Sequence, residues 1–267
     1  MKTGRVDLTR MALLGGLALL FVGQPARGLP VEPIGGPLAA WETVEFAIES
    51  SPAGNAFDPV DARLDAEITT PSGTVSMPGF WYQDQTRTFE DGQETLAPNG
   101  APGWRIRFLP REPGRHRIRA VLMEQGVEKG VWEGQFDITP ASTAFAGVVR
   151  VEPRERRYFM LDDGSMPPRP FPLIGMNACW QLRGVSVGYE AWFAEFEDAG
   201  MNYARIWMWP FALGIEVLPT ERLNYNQENA WRLDRILELA AQHGVRIMLC
   251  LDFHGIFQTE PDVWKAN

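Results

Sequence analysis

From Trp41 to about Thr139 the chain runs in short alternating stretches, with a large apolar residue at every second position and Pro or Gly between stretches. In Val44-Glu45-Phe46-Ala47-Ile48 the bulky residues share one face, because side chains of an extended backbone point alternately to opposite sides. Ala62, Leu64, Ala66 and Ile68 repeat that period, as do Trp104, Ile106 and Phe108, then His116, Ile118, Ala120 and Leu122, then Phe136 and Ile138. Pro71-Ser72-Gly73, Pro98-Asn99-Gly100, Pro113-Gly114 and Gln125-Gly126 supply turns between them. The pattern predicts about six or seven half-buried antiparallel strands over residues 29–140, arranged as an all-β sandwich.

That strand spacing points to a sandwich of immunoglobulin type, whose sheets are held by packing because no cysteine pair spans them. After Pro140, the small residues from Ala141 to Gly147 read as a linker. Val148 to Arg157 carries Arg150, Glu152, Arg154, Glu155, Arg156 and Arg157, as suits a solvated connecting strand, so residues 141–170 form a linker and lead-in strand. Beyond the turn signal Asp162-Asp163-Gly164 the period changes.

Residues 171–267 alternate apolar strands with amphipathic helices. Phe171 to Trp180 is predicted as a strand; Tyr189, Trp192, Phe193 and Phe196 then fall at helical spacing, and Gly200 is the stop. Met201 to Trp209 is the second strand. A second helix follows, capped by Asn224 or Asn226, with Ala230, Leu233, Leu237 and Ala240 on one face and Gly244 closing it. Val245 to Phe253 is apolar almost throughout and is predicted to be buried on both faces, as in parallel α/β sheets. These are the first three βα units expected of a (β/α)8 TIM barrel, which needs eight units and typically ~250 residues. Two explanations stand: a fragment of a longer protein, which the size favours, or a small open α/β sheet. Three units alone predict an unpaired strand edge and aggregation.

Residues 1–28 read as a signal peptide: a basic start, an apolar run from Met11 to Gly23, and small residues around Ala26-Arg27-Gly28, with cleavage expected after Gly28. An uncleaved anchor is the alternative, although the run falls short of the ~20 apolar residues that span a bilayer. A secreted or periplasmic protein is expected, with no membrane contact after cleavage. Removing Lys2, Arg5, Arg10, Arg27 and Asp7 from 25 cations and 34 anions leaves 21 against 33. So acidic a surface repels phosphate and anionic lipid, which argues against nucleic acid and membrane partners and leaves neutral or cationic ligands.

If the second part is a barrel of parallel strands, its chemistry sits at the C-terminal strand ends: Gly175 to Trp180, Arg205 to Trp209, and Leu251 to Gly255. Arg205 inside an apolar strand must meet a polar interior, because an unpaired buried charge costs several kcal/mol. It either pairs with Asp252 or holds a ligand, and the two roles are compatible. His254 shares a strand face with Asp252 and Cys250, and is either a ligand-site residue or a histidine satisfied by a backbone carbonyl. Asp252 and His254 lack a third ligand, so neither metal nor cofactor is expected. Trp180, Trp207 and Trp209 either line a pocket, where flat rings stack on sugar faces, or pack under helices.

The order Ile174-Gly175-Met176-Asn177-Ala178-Cys179-Trp180, Met201-Asn202-Tyr203-Ala204-Arg205-Ile206-Trp207, Asn229-Ala230-Trp231-Arg232-Leu233-Asp234 and Leu251-Asp252-Phe253-His254-Gly255 resembles the opening third of a cellulase-like glycoside hydrolase barrel. It is similar to family 5 and to the apiosidase-like enzymes. The preceding sandwich, with Trp41-Glu42 leading its first strand and Pro113-Gly114 in a later hairpin, resembles the uncharacterised immunoglobulin-like domain that often precedes such barrels. The resemblance implies that Arg205, His254, Asn177 and Trp180 border the sugar subsite next to the bond that is cut. It also implies a polysaccharide or oligosaccharide substrate, with catalytic Glu residues ending the fourth and seventh strands, neither of which lies in this sequence. Retaining hydrolysis needs two carboxyl groups ~5 Å apart, and the three strand ends offer only Asp252. Glu260 and Asp262 read as solvated loop charges.

Three functions remain in view. One is the N-terminal portion of a secreted retaining glycoside hydrolase, with Arg205, His254, Asn177, Trp180, Trp207, Trp209 and Asp252 binding the sugar. Another is a non-catalytic carbohydrate-binding or cell-surface protein, using Phe80-Trp81-Tyr82 as an aromatic platform or burying it in the core. The third is an unrelated barrel enzyme, since fold alone does not fix chemistry. Cys179 and Cys250 would lie on strands separated by the second, ~9–10 Å apart and beyond the ~7 Å Cα limit for a bridge, so two free thiols are expected.

Overall fold

The computed structural model describes residues 28–142, 146–181, 185–208, 213–216 and 224–251. The expected signal peptide as far as Arg27, and Trp209, Asp252, His254, Glu260 and Asp262, lie outside the described residues.

In chain order, β1 (Leu29–Pro30), β2 (Pro33–Ile34), β3 (Val44–Ile48), β4 (Ala62–Thr70), β5 (Gly73–Pro78) and β6 (Phe80–Tyr82) precede a hairpin of β7 (Gln85–Glu90) and β8 (Gln93–Pro98). Then come β9 (Gly103–Phe108), β10 (Gly114–Glu124) and β11 (Val127–Ile138). One sheet has the order β1-β11-β10-β4-β5 and the other β2-β3-β9-β6. They pack face to face because the period-two residues point inward: Val44, Phe46, Ile48, Leu64, Ile68, Trp104, Ile106, Ile118, Leu122 and Phe136 share one buried core. The Gln125-Gly126 turn takes positive φ at both positions (47° and 77°), the tight geometry that joins β10 to β11. His116 is fully buried, its ring beside Phe108 and Phe136 and its Nδ1 3.0 Å from the Gly114 carbonyl oxygen.

β12 (Val148–Val151), β13 (Phe159–Asp162) and β14 (Arg169–Pro170) form a small antiparallel sheet. Its first strand is the charged lead-in, where Arg150 pairs with Asp162 at 2.6 Å.

The remaining elements are β15 (Gly175–Asn177), α1 (Val185–Asp198), β16 (Tyr203–Trp207), α2 (Gln227–Gln242) and β17 (Arg246–Cys250). The strands pair in parallel in chain order, with Asn177 opposite Arg205 and Trp207 opposite Cys250. Two helices and several separate sheets make a strand-dominated chain, and among the described residues no sheet closes into a barrel. Asn226 caps α2 by accepting from the Asn229 amide at 2.9 Å, and Gly200 and Gly244 end the helices with φ of 69° and 70°.

Three expectations need correction. The first strand is confined to Gly175–Asn177, since Pro170 and Pro172 deny the run before it the amide donors a longer ladder needs. The buried stripe of α2 is Asn229, Leu233, Ile236, Leu239 and Ala240, while Leu237 is 40% exposed. The helix is therefore turned so that Ile236, rather than Leu237, meets Ala204 and Ile206 of β16 in the second core. Third, β17 is not buried on both faces, and Met248 is 52% exposed. The helices cover only the side to which Ala204 and Ile206 point, leaving the Tyr203, Arg205 and Trp207 side half-open.

A polar seam joins the sandwich to the helices. Glu94 of β8 accepts from Arg232 Nε at 2.8 Å and from the Ser186 amide at 2.9 Å, and also from the Ser186 hydroxyl. Arg107 bridges Glu45 at 2.6 Å and Asp234 at 2.8 Å, under Phe80 and Tyr82. The Gln83 amide donates to Gln227 Oε1 at 2.8 Å, and Phe57 meets Tyr225 edge-on at 5.2 Å.

Gly175 lies so close to β16 that a Cβ there would stand 1.8 Å from the Tyr203 carbonyl oxygen. Gly175→Ala is expected to destabilise the chain by about 1–3 kcal/mol or more in denaturant titration. Burial pushes the phenols of Tyr82 and Tyr189 above their ordinary value near 10, and nearby Asp234 adds to this at Tyr82. The unfolded chain then gives up those protons first, so stability should fall as pH rises past 10. The slope should reach at most ~1.4 kcal/mol per pH unit for each tyrosine. Urea midpoints at pH 9 and 11 check this, and Tyr82→Phe and Tyr189→Phe should each flatten the slope.

Candidate functional site

The site begins with alternation along β16. Ala204 and Ile206 enter the helix-covered core, which sends Tyr203, Arg205 and Trp207 to the open face. Parallel register then sets Asn177 of β15 beside Arg205, and Met248 and Cys250 of β17 beside Arg205 and Trp207.

The Arg205 guanidinium lies over the Trp207 ring, 4.7 Å from its centroid, and its Nε donates to Cys250 Sγ at 3.1 Å. Trp180 meets Trp207 edge-to-face, with centroids 5.4 Å apart and planes at 76°. Trp180 has a positive φ of 45°, a conformation that costs a non-glycine residue roughly 1–2 kcal/mol and must be held by its surroundings. One such restraint is next door: the hydroxyl of Tyr189, on the buried face of α1, donates to the Ala178 carbonyl at 2.8 Å and fixes the chain leaving β15.

The structure thus brings together Asn177, Trp180, Arg205 and Trp207, while Trp209, Asp252 and His254 lie outside the described residues. Sequence reasoning missed Cys250 as a partner of Arg205, although both positions point to the same face of adjacent parallel strands. It also missed Tyr189, which reads only as one more apolar position of a helix.

Among the described strand-end residues none carries a carboxylate. Burial raises the Cys179 thiol above its usual range; neighbouring Arg205 pulls it down and Cys250 pushes it up. The thiol is therefore protonated at neutral pH and a weak nucleophile. Among the described residues there is no group of three or more His, Cys, Asp or Glu that could hold a metal ion, and no helix is long and apolar enough to cross a membrane.

Comparison with known proteins adds the following. A family model described as a domain of unknown function (DUF5060) matches residues 37–122, which lie within the sandwich. A search of curated proteins gives no match. Among solved structures, the chain is similar to a candidate glycoside hydrolase from Bacteroides vulgatus, with a TM-score of 0.57 and 19% identity. The alignment covers 80% of this chain and 40% of that one, so the chain spans about two fifths of that protein's length. At such identity the likeness is one of fold. A family 39 glycoside hydrolase from Bacteroides cellulosilyticus aligns over 85% of this chain and 34% of its own, at 12% identity and a TM-score of 0.23. A family 5 xyloglucanase from Bacteroides ovatus, solved with a heptasaccharide, aligns over 82% and 45%, at 10% identity and a TM-score of 0.18. Those two scores are too low to carry an argument.

Cys179 and Cys250 are both unbridged. Denatured but unreduced protein is expected to react with two equivalents of a thiol reagent per chain. Absence of titratable sulfhydryl would place a disulfide where the structure has none.

Proposed function

We propose that this chain is the N-terminal portion of a secreted retaining glycoside hydrolase. In this reading residues 29–140 are an immunoglobulin-like sandwich, 141–170 a linker and lead-in strand, and 171–267 the first three units of a (β/α)8 barrel. Residues 1–28 are its signal peptide. Asn177, Trp180, Arg205 and Trp207 form one wall of the sugar site, with Trp209, Asp252 and His254 belonging to the same wall. The two carboxyl groups that cleave the bond stand elsewhere than on the described strand ends.

The observation that carries the reading is Arg205 stacked on Trp207, with Trp180 at its edge, on the side of the parallel strands opposite the helices. An aromatic plane meets the C–H face of a sugar ring, and the N–H groups of a guanidinium donate to hydroxyl oxygens. The acidic balance, net −9, suits a neutral glycan better than a polyanion. The fold likeness to a candidate glycoside hydrolase agrees with this assignment.

The alternative, a sandwich that binds carbohydrate through Phe80-Trp81-Tyr82, loses its platform. Tyr82 is buried, Trp81 packs edge-on against Trp104 at 5.5 Å, and Arg107 covers Phe80 at 4.9 Å.

Calorimetric titration with neutral β-glucan and xylan oligosaccharides tests the proposal. Arg205→Ala is expected to weaken binding about 10- to 100-fold, the equivalent of one lost hydrogen bond to a charged group. Its circular dichroism and melting temperature should stay close to the parent's. If the parent chain binds none of the oligosaccharides, or the variant binds them equally well, the assignment is wrong.

A further inference from the structure

The seam between the sandwich and the helices has a definite address. The sandwich contacts named above fall on the N-terminal halves of α1 and α2 or just before α2. Ser186 and Glu190 lie in the first two turns of α1; Tyr225 precedes α2, and Gln227, Arg232 and Asp234 lie in its first half. Both helices follow strands whose C-terminal ends carry the proposed sugar wall, β15 with Asn177 and Trp180, and β16 with Arg205 and Trp207. The sandwich therefore holds the N-terminal halves of the two helices that follow those strands.

Glu94 is the centre of this grip. Its side chain is only 2% exposed and that of Arg232 only 14%. One carboxylate oxygen takes Arg232 Nε from α2; the other takes the amide and hydroxyl of Ser186 from α1. α1 has no acidic residue in its own first turn. A helix start presents unsatisfied amides and a partial positive charge, which a carboxylate at the second helical amide satisfies. Arg87 of β7 adds a bond to the Ser186 hydroxyl at 2.9 Å and an ion pair with Glu190 at 3.8 Å. The hairpin is itself anchored, since Asn99 donates to Asp84 through both its amide and its side chain, each at 2.8 Å.

We propose that the β7–β8 hairpin is a brace for the sugar wall: Glu94, on the sandwich, caps α1 and clamps Arg232 of α2, fixing the two helices that follow β15 and β16. The sandwich acts as a positioning module, not as a separate glycan binder. Glu94 is a positioning residue, for it reaches the wall only through the helix starts. The brace stands on its own contacts; its consequence for sugar binding rests on the proposed function.

Hydrogen exchange measured on the full chain separates the two. Glu94→Ala is expected to speed exchange in peptides covering Val185–Glu190 and Gln227–Asp234 on the order of 10-fold or more, with β3, β4, β9 and β10 unchanged. Glu94→Gln, which keeps the shape but not the charge, should give a smaller effect at the same places. Unchanged exchange at both helix starts, or equal acceleration through the sandwich core, overturns the brace. Should Glu94→Ala fail to fold, Ser186→Ala removes one arm of the grip, and faster exchange confined to Val185–Glu190 is expected; no change there overturns the proposal. None of these readouts involves sugar. A chain that binds no glycan yet shows local loosening keeps the brace and loses the proposed function, and the converse pattern does the opposite.

Discussion

Alternation along β16 is the constraint from which the rest of the α/β body follows. Five residues, Tyr203 to Trp207, divide between two environments, and the division is forced by the extended backbone. Ala204 and Ile206 are fully buried against Phe193, Ile236 and Ala240. Turning them inward compels Arg205 and Trp207 to the opposite side. A one-residue slip would place a guanidinium among helix side chains, at a cost of several kcal/mol, so the hydrophobic core fixes the register of the polar face. Gly175 adds a second restraint, since its lack of a side chain lets β15 approach β16 closely enough to align Asn177 with Arg205.

The two bodies have separate cores, and what joins them is chiefly charge. Buried ion pairs contribute little net stability because desolvation offsets their attraction, but removing one partner leaves the other stranded. Such contacts are poor glue and good registration. Arg107 illustrates this. Burial alone would depress its guanidinium, yet Asp234 and Glu45 more than offset it and hold the group above its usual range. The cation remains charged across the seam, and Glu45 and Asp234, from opposite bodies, are held to one position.

The sandwich core was legible wherever burial alternates strictly, as in β3, β4, β9 and β10. β5 escaped notice because it is exposed almost throughout, and β7 and β8 because they bury only Gln85 and Leu96. Their hairpin leans on charged helix starts, and a polar strand on a polar surface leaves no hydrophobic period to read. The second helix was legible in existence and in its Gly244 stop, and its cap was narrowed to Asn224 or Asn226, of which the structure uses Asn226. Its buried stripe was not, because helical spacing admits either Ile236 or Leu237 and only the packing against β16 chooses. Arg205 stood out as a charge in an apolar strand. Its contact with Cys250 depends on register, and Glu94 is one of 34 acidic residues until the helices show which amide it faces.

Geometry at the open face also limits what these residues do. Stacking on Trp207 immobilises the guanidinium before any ligand arrives, so its N–H groups lie in a fixed plane and lose little freedom on binding. The positive φ of Trp180 places a second ring edge-on to the first, which a relaxed backbone would not do at that residue. Neither feature offers a proton donor or acceptor suited to neutral pH: indole has no acidic or basic group in that range, and burial raises the Cys179 thiol above its usual range. Under the proposed function, Asn177, Trp180, Arg205 and Trp207 supply orientation and binding energy, and the reacting groups stand elsewhere.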